Sequence, residues 1–133
     1  MTGMSELPCT VQRWFDYVHS RDVRALDALI ADDAVFRSPA VFAPQEGKAM
    51  TMIYLTAALD VLGPTAEYRS TWSDDSSAVL EFEADLAGTV VHGIDMIRWD
   101  DDGLITQFTV MVRPLRGLER LISLMGQKLT QRD

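Results

Sequence analysis

The apolar residues of this chain change their spacing once, at Gly63-Pro64, and that change decides the fold class. Before it, they recur every three to four positions. After it, they alternate. Ala78 to Leu86 places Leu80, Phe82, Ala84 and Leu86 on one side and Glu81, Glu83 and Asp85 on the other. A period of two marks a strand with one dry and one wet face. Helices followed by a run of strands predict an α+β protein.

Val11, Trp14, Phe15 and Val18 fall at i, i+3, i+4 and i+7 and predict a first helix. Ser5 or a neighbour can cap it, with Pro8 in its first turn. Asp22 caps a second, shorter helix that buries Leu26, Leu29 and Ile30 and ends at Ala31-Asp32-Asp33. A short strand, Val35-Phe36-Arg37-Ser38, runs into Pro39. A third helix starts near Gly47 with two apolar stripes, one of Met50, Ile53, Tyr54, Ala57 and Val61, the other of Met52, Leu55, Leu59 and Leu62. Such a helix is expected to be covered on two sides.

Four antiparallel strands follow, Ala66–Trp72, Ala78–Leu86, Thr89–Trp99 and Leu104–Arg113, with turns at Asp74–Ser77, Ala87-Gly88 and Asp100–Gly103. A last helix after Pro114 turns Leu118, Leu121, Ile122, Met125 and Leu129 inward. The expected architecture is one domain over residues 1–133. It is a cone-shaped α+β barrel, a curved antiparallel sheet on three helices with an extra C-terminal helix, around an apolar hollow.

Inside the strand Thr89–Trp99 stands one residue that does not suit it. Asp95 shares a face with Gly93, Ile97 and Trp99, opposite His92, Ile94, Met96 and Arg98. A carboxylate on a buried face is costly in its charged form, so its pKa should rise. A carboxyl kept neutral in this way can donate a hydrogen bond; Trp14 or Tyr54 could partner it. In the next strand Phe108, Val110 and Val112 oppose Ile105, Gln107, Thr109, Met111 and Arg113. Ile94, Met96, Ile105 and Met111 therefore need cover on the side away from the helices. A second copy of the chain, forming a homodimer, is the expected cover. The alternative is the C-terminal helix wrapped around the sheet.

Charge and composition exclude several functions. Twenty acidic against twelve basic residues give a net charge of −8, so phosphate backbones and anionic membranes are repelled and no nucleic acid or membrane partner is expected. Lys48, Thr51, Thr56 and Asp60 interrupt the third helix, which is too short to cross a bilayer. The start of the chain lacks the basic and apolar regions of a signal peptide, and Cys9 has no partner for an internal disulfide, so a cytoplasmic setting is expected. His19, His92 and Cys9 cannot form the usual zinc site. An EF-hand frame on Asp100-Asp101-Asp102-Gly103 would put Arg98 and Thr109 at its first and twelfth ligand positions, so that run reads as a turn. No phosphate loop or hydrolase motif is present, and no cofactor is expected.

The order of elements resembles the nuclear transport factor 2-like superfamily, which includes ketosteroid isomerases, SnoaL-like polyketide cyclases and limonene epoxide hydrolases. The matching stretches are Ala31-Asp32-Asp33-Ala34-Val35-Phe36-Arg37-Ser38-Pro39, Gly47 opening a helix, and Ile94-Asp95-Met96-Ile97-Arg98-Trp99-Asp100 followed by Gly103-Leu104-Ile105. The isomerase likeness implies that Asp95 is the protonated acid of an oxyanion hole, a carboxylic acid held neutral by its apolar surroundings. It places Ser38 where that branch has a carboxylate base and Trp14 where it has a catalytic tyrosine. The cyclase likeness places Val110 where an acid is expected.

The resemblance implies a hollow lined by Trp14, Phe15, Phe36, Tyr54, Phe82, Phe108, Val110 and Val112, with Asp95 and Ser38 as its polar and candidate catalytic points. Such a site suits a small apolar molecule carrying a carbonyl or hydroxyl. Two functions are then expected. One is a cofactor-free acid/base isomerase, cyclase or hydratase. The other is a non-catalytic small-molecule binding or dimeric interaction domain.

Overall fold

A computed structural model describes residues 7–130, so the expected Ser5 cap lies outside the described residues. Helix α1 spans Cys9–Ser20 and ends as Arg21 turns into the left-handed region, its N–H bonded to the Tyr17 carbonyl at 2.7 Å. Asp22 caps α2, Val23–Asp27, by accepting from the Arg24 amide. This helix is shorter than expected. Ile30 does not belong to it but opens strand β1, Ile30–Arg37. The Leu29 carbonyl accepts from the Ile105 amide at 2.8 Å, which draws the chain out of the helix and into the sheet.

After the two-residue strand β2, Gln45–Glu46, Gly47 at φ 98° starts α3, Lys48–Leu62. Only a residue without a Cβ adopts that angle at low cost. Thr51, Leu55, Ala58 and Leu62 are buried, but Met50 and Ile53 of the first stripe are 36% and 37% exposed. One side of α3 is thus left open, in place of the two-sided cover the apolar stripes suggested. Strands β3 (Glu67–Ser73), β4 (Ser77–Leu86), β5 (Thr89–Trp99) and β6 (Ile105–Arg113) precede the last helix, α4, Leu115–Thr130. In α4, Leu121 and Met125 are buried while Ile122 faces out, a correction to its expected inward position.

The six strands form one open sheet in the order β2-β1-β6-β5-β4-β3. It is mixed rather than wholly antiparallel, because β1 runs parallel to β6. The sheet does not close into a barrel. Helices cover the face that carries Asp95, as in the expected α+β cone. Helix α4 lies on this same side, where Gly117 leaves no room for a Cβ against the Val91 side chain. It does not wrap around to the outer face.

Two irregularities move residues from their expected faces. A register shift at Arg98/Trp99 sets Trp99 opposite Ile105, whose side chain is fully buried. Ile105 is therefore a core residue and not part of the outer face. A second shift, between Tyr68 and Ser70, pairs Trp72 with Val79, so Trp72 turns outward and stands 58% exposed. The outer face carries Trp72, Val79, Met96, Ile94 and Met111 across adjacent strands.

Gly93 lets the Phe82 ring cross the sheet beside Asp95. A Cβ there would lie 2.5 Å from the Met111 carbonyl oxygen and 2.7 Å from Phe82 Cζ. Gly93→Ala should lower stability by about 1–3 kcal/mol through overpacking. Urea denaturation measures this as a lower midpoint at unchanged slope.

Candidate functional site

Strand β5 presents Asp95 to the inner face between Gly93 and Ile97, opposite Leu80 of β4 and Val110 of β6. The residue is 5% exposed. Tyr68, from β3, donates its hydroxyl proton to Asp95 Oδ2 at 2.7 Å. Trp14, from α1, donates its indole N–H to the Tyr68 oxygen at 3.1 Å. The three residues form a directed chain in which Trp14 occupies a Tyr68 lone pair and Tyr68 points its proton at the carboxyl. No protein group among the described residues bonds to Oδ1.

Burial pushes the Asp95 carboxyl up to about 7, and the Tyr68 hydrogen bond opposes that rise. The Tyr68 phenol is pushed well above its ordinary value, first by burial and then by the neighbouring Asp95. At neutral pH the carboxyl is thus available both as acid and as anion. It borders a cavity of about 30 Å³ walled by Trp14, Leu55, Leu59, Phe82, Phe108 and Val110. That is room for one or two waters. The Trp14 and Phe108 rings, 4.8 Å apart, fill much of the expected hollow.

The other expected lining residues lie elsewhere. Phe36 stacks on Tyr54 at 5.5 Å within the core, and neither reaches the cavity. Phe15 sits outside it, edge-on to Tyr68. Ser38 and Val112 border a separate open groove of about 510 Å³ with Val41, Phe42 and Leu118. The Ser38 hydroxyl accepts from the Ala40 amide at 2.9 Å and shapes a turn. Asp95 and Ser38 are therefore not brought together.

The partner of Asp95 is neither of the two expected residues but Tyr68. The signal for it lay in register. Tyr68 pairs with Phe82 and Phe82 with Gly93, two residues from Asp95 on the same face. His92 lies on the outer face, bonded to Glu81 at 2.7 Å, and Arg37 donates to Gln107. Asp100 caps its own turn by accepting from the Asp102 and Leu104 amides. No group of three metal-ligating side chains occurs among the described residues.

The sequence over residues 11–108 matches the model of the SnoaL-like domain. A steroid delta-isomerase from Pseudomonas aeruginosa is 39% identical and superposes with a TM-score of 0.86, over 92% of this chain and 90% of that one. The chain belongs to the SnoaL-like family, within the nuclear transport factor 2-like superfamily. Two further solved structures share the fold. An uncharacterised bacterial protein with a cystatin-like fold from Silicibacter pomeroyi is 24% identical, with a TM-score of 0.87 over 95% of this chain and 89% of that one. A candidate polyketide cyclase from Sinorhizobium meliloti is 23% identical, with a TM-score of 0.65 over 84% and 100%. No curated protein matches the sequence significantly.

The raised pKa fixes the sign of a stability change. Folded Asp95 keeps its proton up to about pH 7, whereas in the unfolded chain it ionises near 4. Folding binds a proton between these values, so stability should fall as pH rises from about 4 to about 7, by about 4 kcal/mol in all. Asp22, Asp74 and Glu81 are held low by hydrogen bonds from Arg24, the Ser76 amide and His92, and act in the opposite sense at lower pH. Asp95→Asn should flatten the upper slope in urea titrations at about pH 5 and about pH 8. Tyr68→Phe should move the Asp95 carboxyl-carbon NMR titration further upward, since it removes the bond that favours the anion.

Proposed function

We propose that this SnoaL-like protein binds a small apolar molecule carrying a carbonyl or hydroxyl and acts on it as a cofactor-free acid/base enzyme of the isomerase, cyclase or hydratase type. The observation that carries this reading is Asp95, a carboxyl held protonated to about pH 7 whose Oδ1 has no partner among the described residues and which borders an apolar cavity. Such a group can donate to an oxygen that gains negative charge in the transition state. The 39% identity to a protein described as a steroid delta-isomerase supports the same chemistry.

Among the described residues no second carboxylate lines the cavity. Reactions driven by an acid at oxygen, such as ring closure, hydration or the shift of a double bond in an already acidic ketone, fit this set better than those needing a strong base. With a β,γ-unsaturated cyclic ketone followed by absorbance of the conjugated product, Asp95→Asn should lower kcat about 100-fold or more while the fold is kept. The wild-type rate should decline as pH rises through about 7, as the acid form is lost. Turnover indifferent to Asp95→Asn overturns the reading.

A second reading, a binding domain without turnover, is favoured by the small volume at Asp95, about 30 Å³. Under that reading Asp95→Leu stabilises the protein, since an apolar side chain needs no buried partner.

The outer face suits a second copy of the chain. Met111 is 49% exposed, and it stands with Trp72, Ile94 and Met96 on a face that no helix among the described residues covers. Light scattering after size exclusion should give a dimer, and Met111→Glu should yield monomer. A wild-type monomer at micromolar concentration removes this interface. No helix among the described residues is long and apolar enough to cross a membrane. A reducing, cytoplasmic setting fits the exposed thiol of Cys9.

A further inference from the structure

The space at Asp95 is too small for the ligand proposed above, so a side chain must move to admit it. Ala66 and Tyr68 border both that cavity and an open groove of about 630 Å³ between α1 and β3. Phe15 and Val18 form the α1 wall of the groove, and Arg69, Ser70 and Thr71 line the β3 side. Of the two shared residues, Tyr68 has the larger side chain, and its hydroxyl is the group bonded to Asp95.

The seam that holds this ring is thin. β3 is the end strand of the sheet, paired with β4 alone. Across from it, α1 meets Tyr68 through the Trp14 N–H and through the Phe15 ring, edge-on at 5.1 Å. Tyr68 is partly buried: its hydroxyl lies inside against Asp95, and the same residue borders the open groove. The alternative route, from the groove at Ser38, is closed by Val110, which borders both that groove and the cavity. Val110 lies inside the sheet, paired with Asp95. Its side chain is short and stiff, and its backbone cannot shift without breaking the ladder.

We propose that the groove between α1 and β3 is the outer half of the ligand site, and that Tyr68 is the movable wall through which a ligand oxygen reaches Asp95. The proposal rests on the reading of Asp95 as the polar end of that site. When Tyr68 turns away, Oδ2 loses its hydrogen bond, so the ligand oxygen takes the place of the phenol. The groove also defines the ligand class. Beyond the reacting oxygen the body must be apolar, against Phe15 and Val18. Glu67, Arg69 and His19 also line the groove, with Arg69 paired to Glu67 and Glu83, so a polar group on the ligand is accommodated beside its apolar body.

Access to position 95 tests this without knowledge of the ligand. In a Cys9→Ser background, the thiol introduced by Asp95→Cys is labelled with a small alkylating reagent. Adding Val18→Trp, which fills the groove, should slow labelling about tenfold, and Tyr68→Ala should speed it about tenfold, while Val112→Trp on the other side leaves the rate within about twofold. Slowing by Val112→Trp and not by Val18→Trp overturns the proposal, as does a thiol that never reacts.

A chain that retains Asp95 gives an independent measurement. Fluorescence titration with 2-naphthol should show binding weakened about tenfold by Val18→Trp and unchanged by Val112→Trp. Equal affinities for wild type and Val18→Trp, or no binding to either, overturn the proposal. Turnover insensitive to Asp95→Asn, with labelling still governed by Val18 and Tyr68, would instead remove the acid reading and leave the route intact.

Discussion

The hydrogen bond from Tyr68 to Asp95 ties the end strand of the sheet to its centre. Burying a carboxyl among aromatic and aliphatic side chains costs several kcal/mol when it is charged, unless it finds partners or keeps its proton. Here it does both in part. Desolvation raises the pKa to about 7, and one short hydrogen bond keeps it from rising further. A carboxyl with two or three donors would ionise permanently, and one with none would remain neutral. Asp95 sits between these limits because a single phenol faces it.

That balance depends on strand register. Tyr68 reaches Asp95 across β4 because Phe82 leans over Gly93, where a Cβ would collide with its ring. The indole of Trp14 then occupies the phenol oxygen, which leaves the phenol proton for Asp95. Each of the three side chains comes from a different element, α1, β3 and β5. Packing of the helix on the sheet and the protonation of the acid are therefore coupled: a change that loosens α1 from β3 also removes the group that favours the anion.

Alternation in β4 and β5 was plain in the sequence because their pairing with each other is unbroken and their inner faces are buried from Ala78 to Leu86 and from Val91 to Ile97. Asp95 could be placed on the inner face for that reason alone. The misjudged residues cluster where regularity breaks. Ile105 and Trp72 each follow a register shift, and one extra residue sends a side chain to the opposite face. The parallel pairing of β1 with β6 joins strands roughly seventy residues apart, and local periodicity carries no information about such a contact. Tyr68 was missed for a related reason. Its neighbours in sequence are polar, and its role appears only after two strand pairings are counted out from their turns. Ser38 misled because likeness of position along a chain does not fix where a side chain points; its hydroxyl closes a turn.

The family likeness sharpens what is particular to this chain. The position on α1 that the resemblance gives to a tyrosine holds Trp14, an N–H donor with no proton to exchange. A hydroxyl nevertheless reaches the acid, from the opposite wall, on β3. The helix then serves as the support, and the end strand supplies the phenol. A phenol anchored in a helix is held by the packing of that whole element. A phenol on an end strand is held by its ring contacts, its hydrogen bonds and one neighbouring strand in place of two. With Trp14 on α1, the hydroxyl that bonds Asp95 comes from Tyr68 on the end strand, and the side chain that favours the anion also borders both the cavity and the open groove.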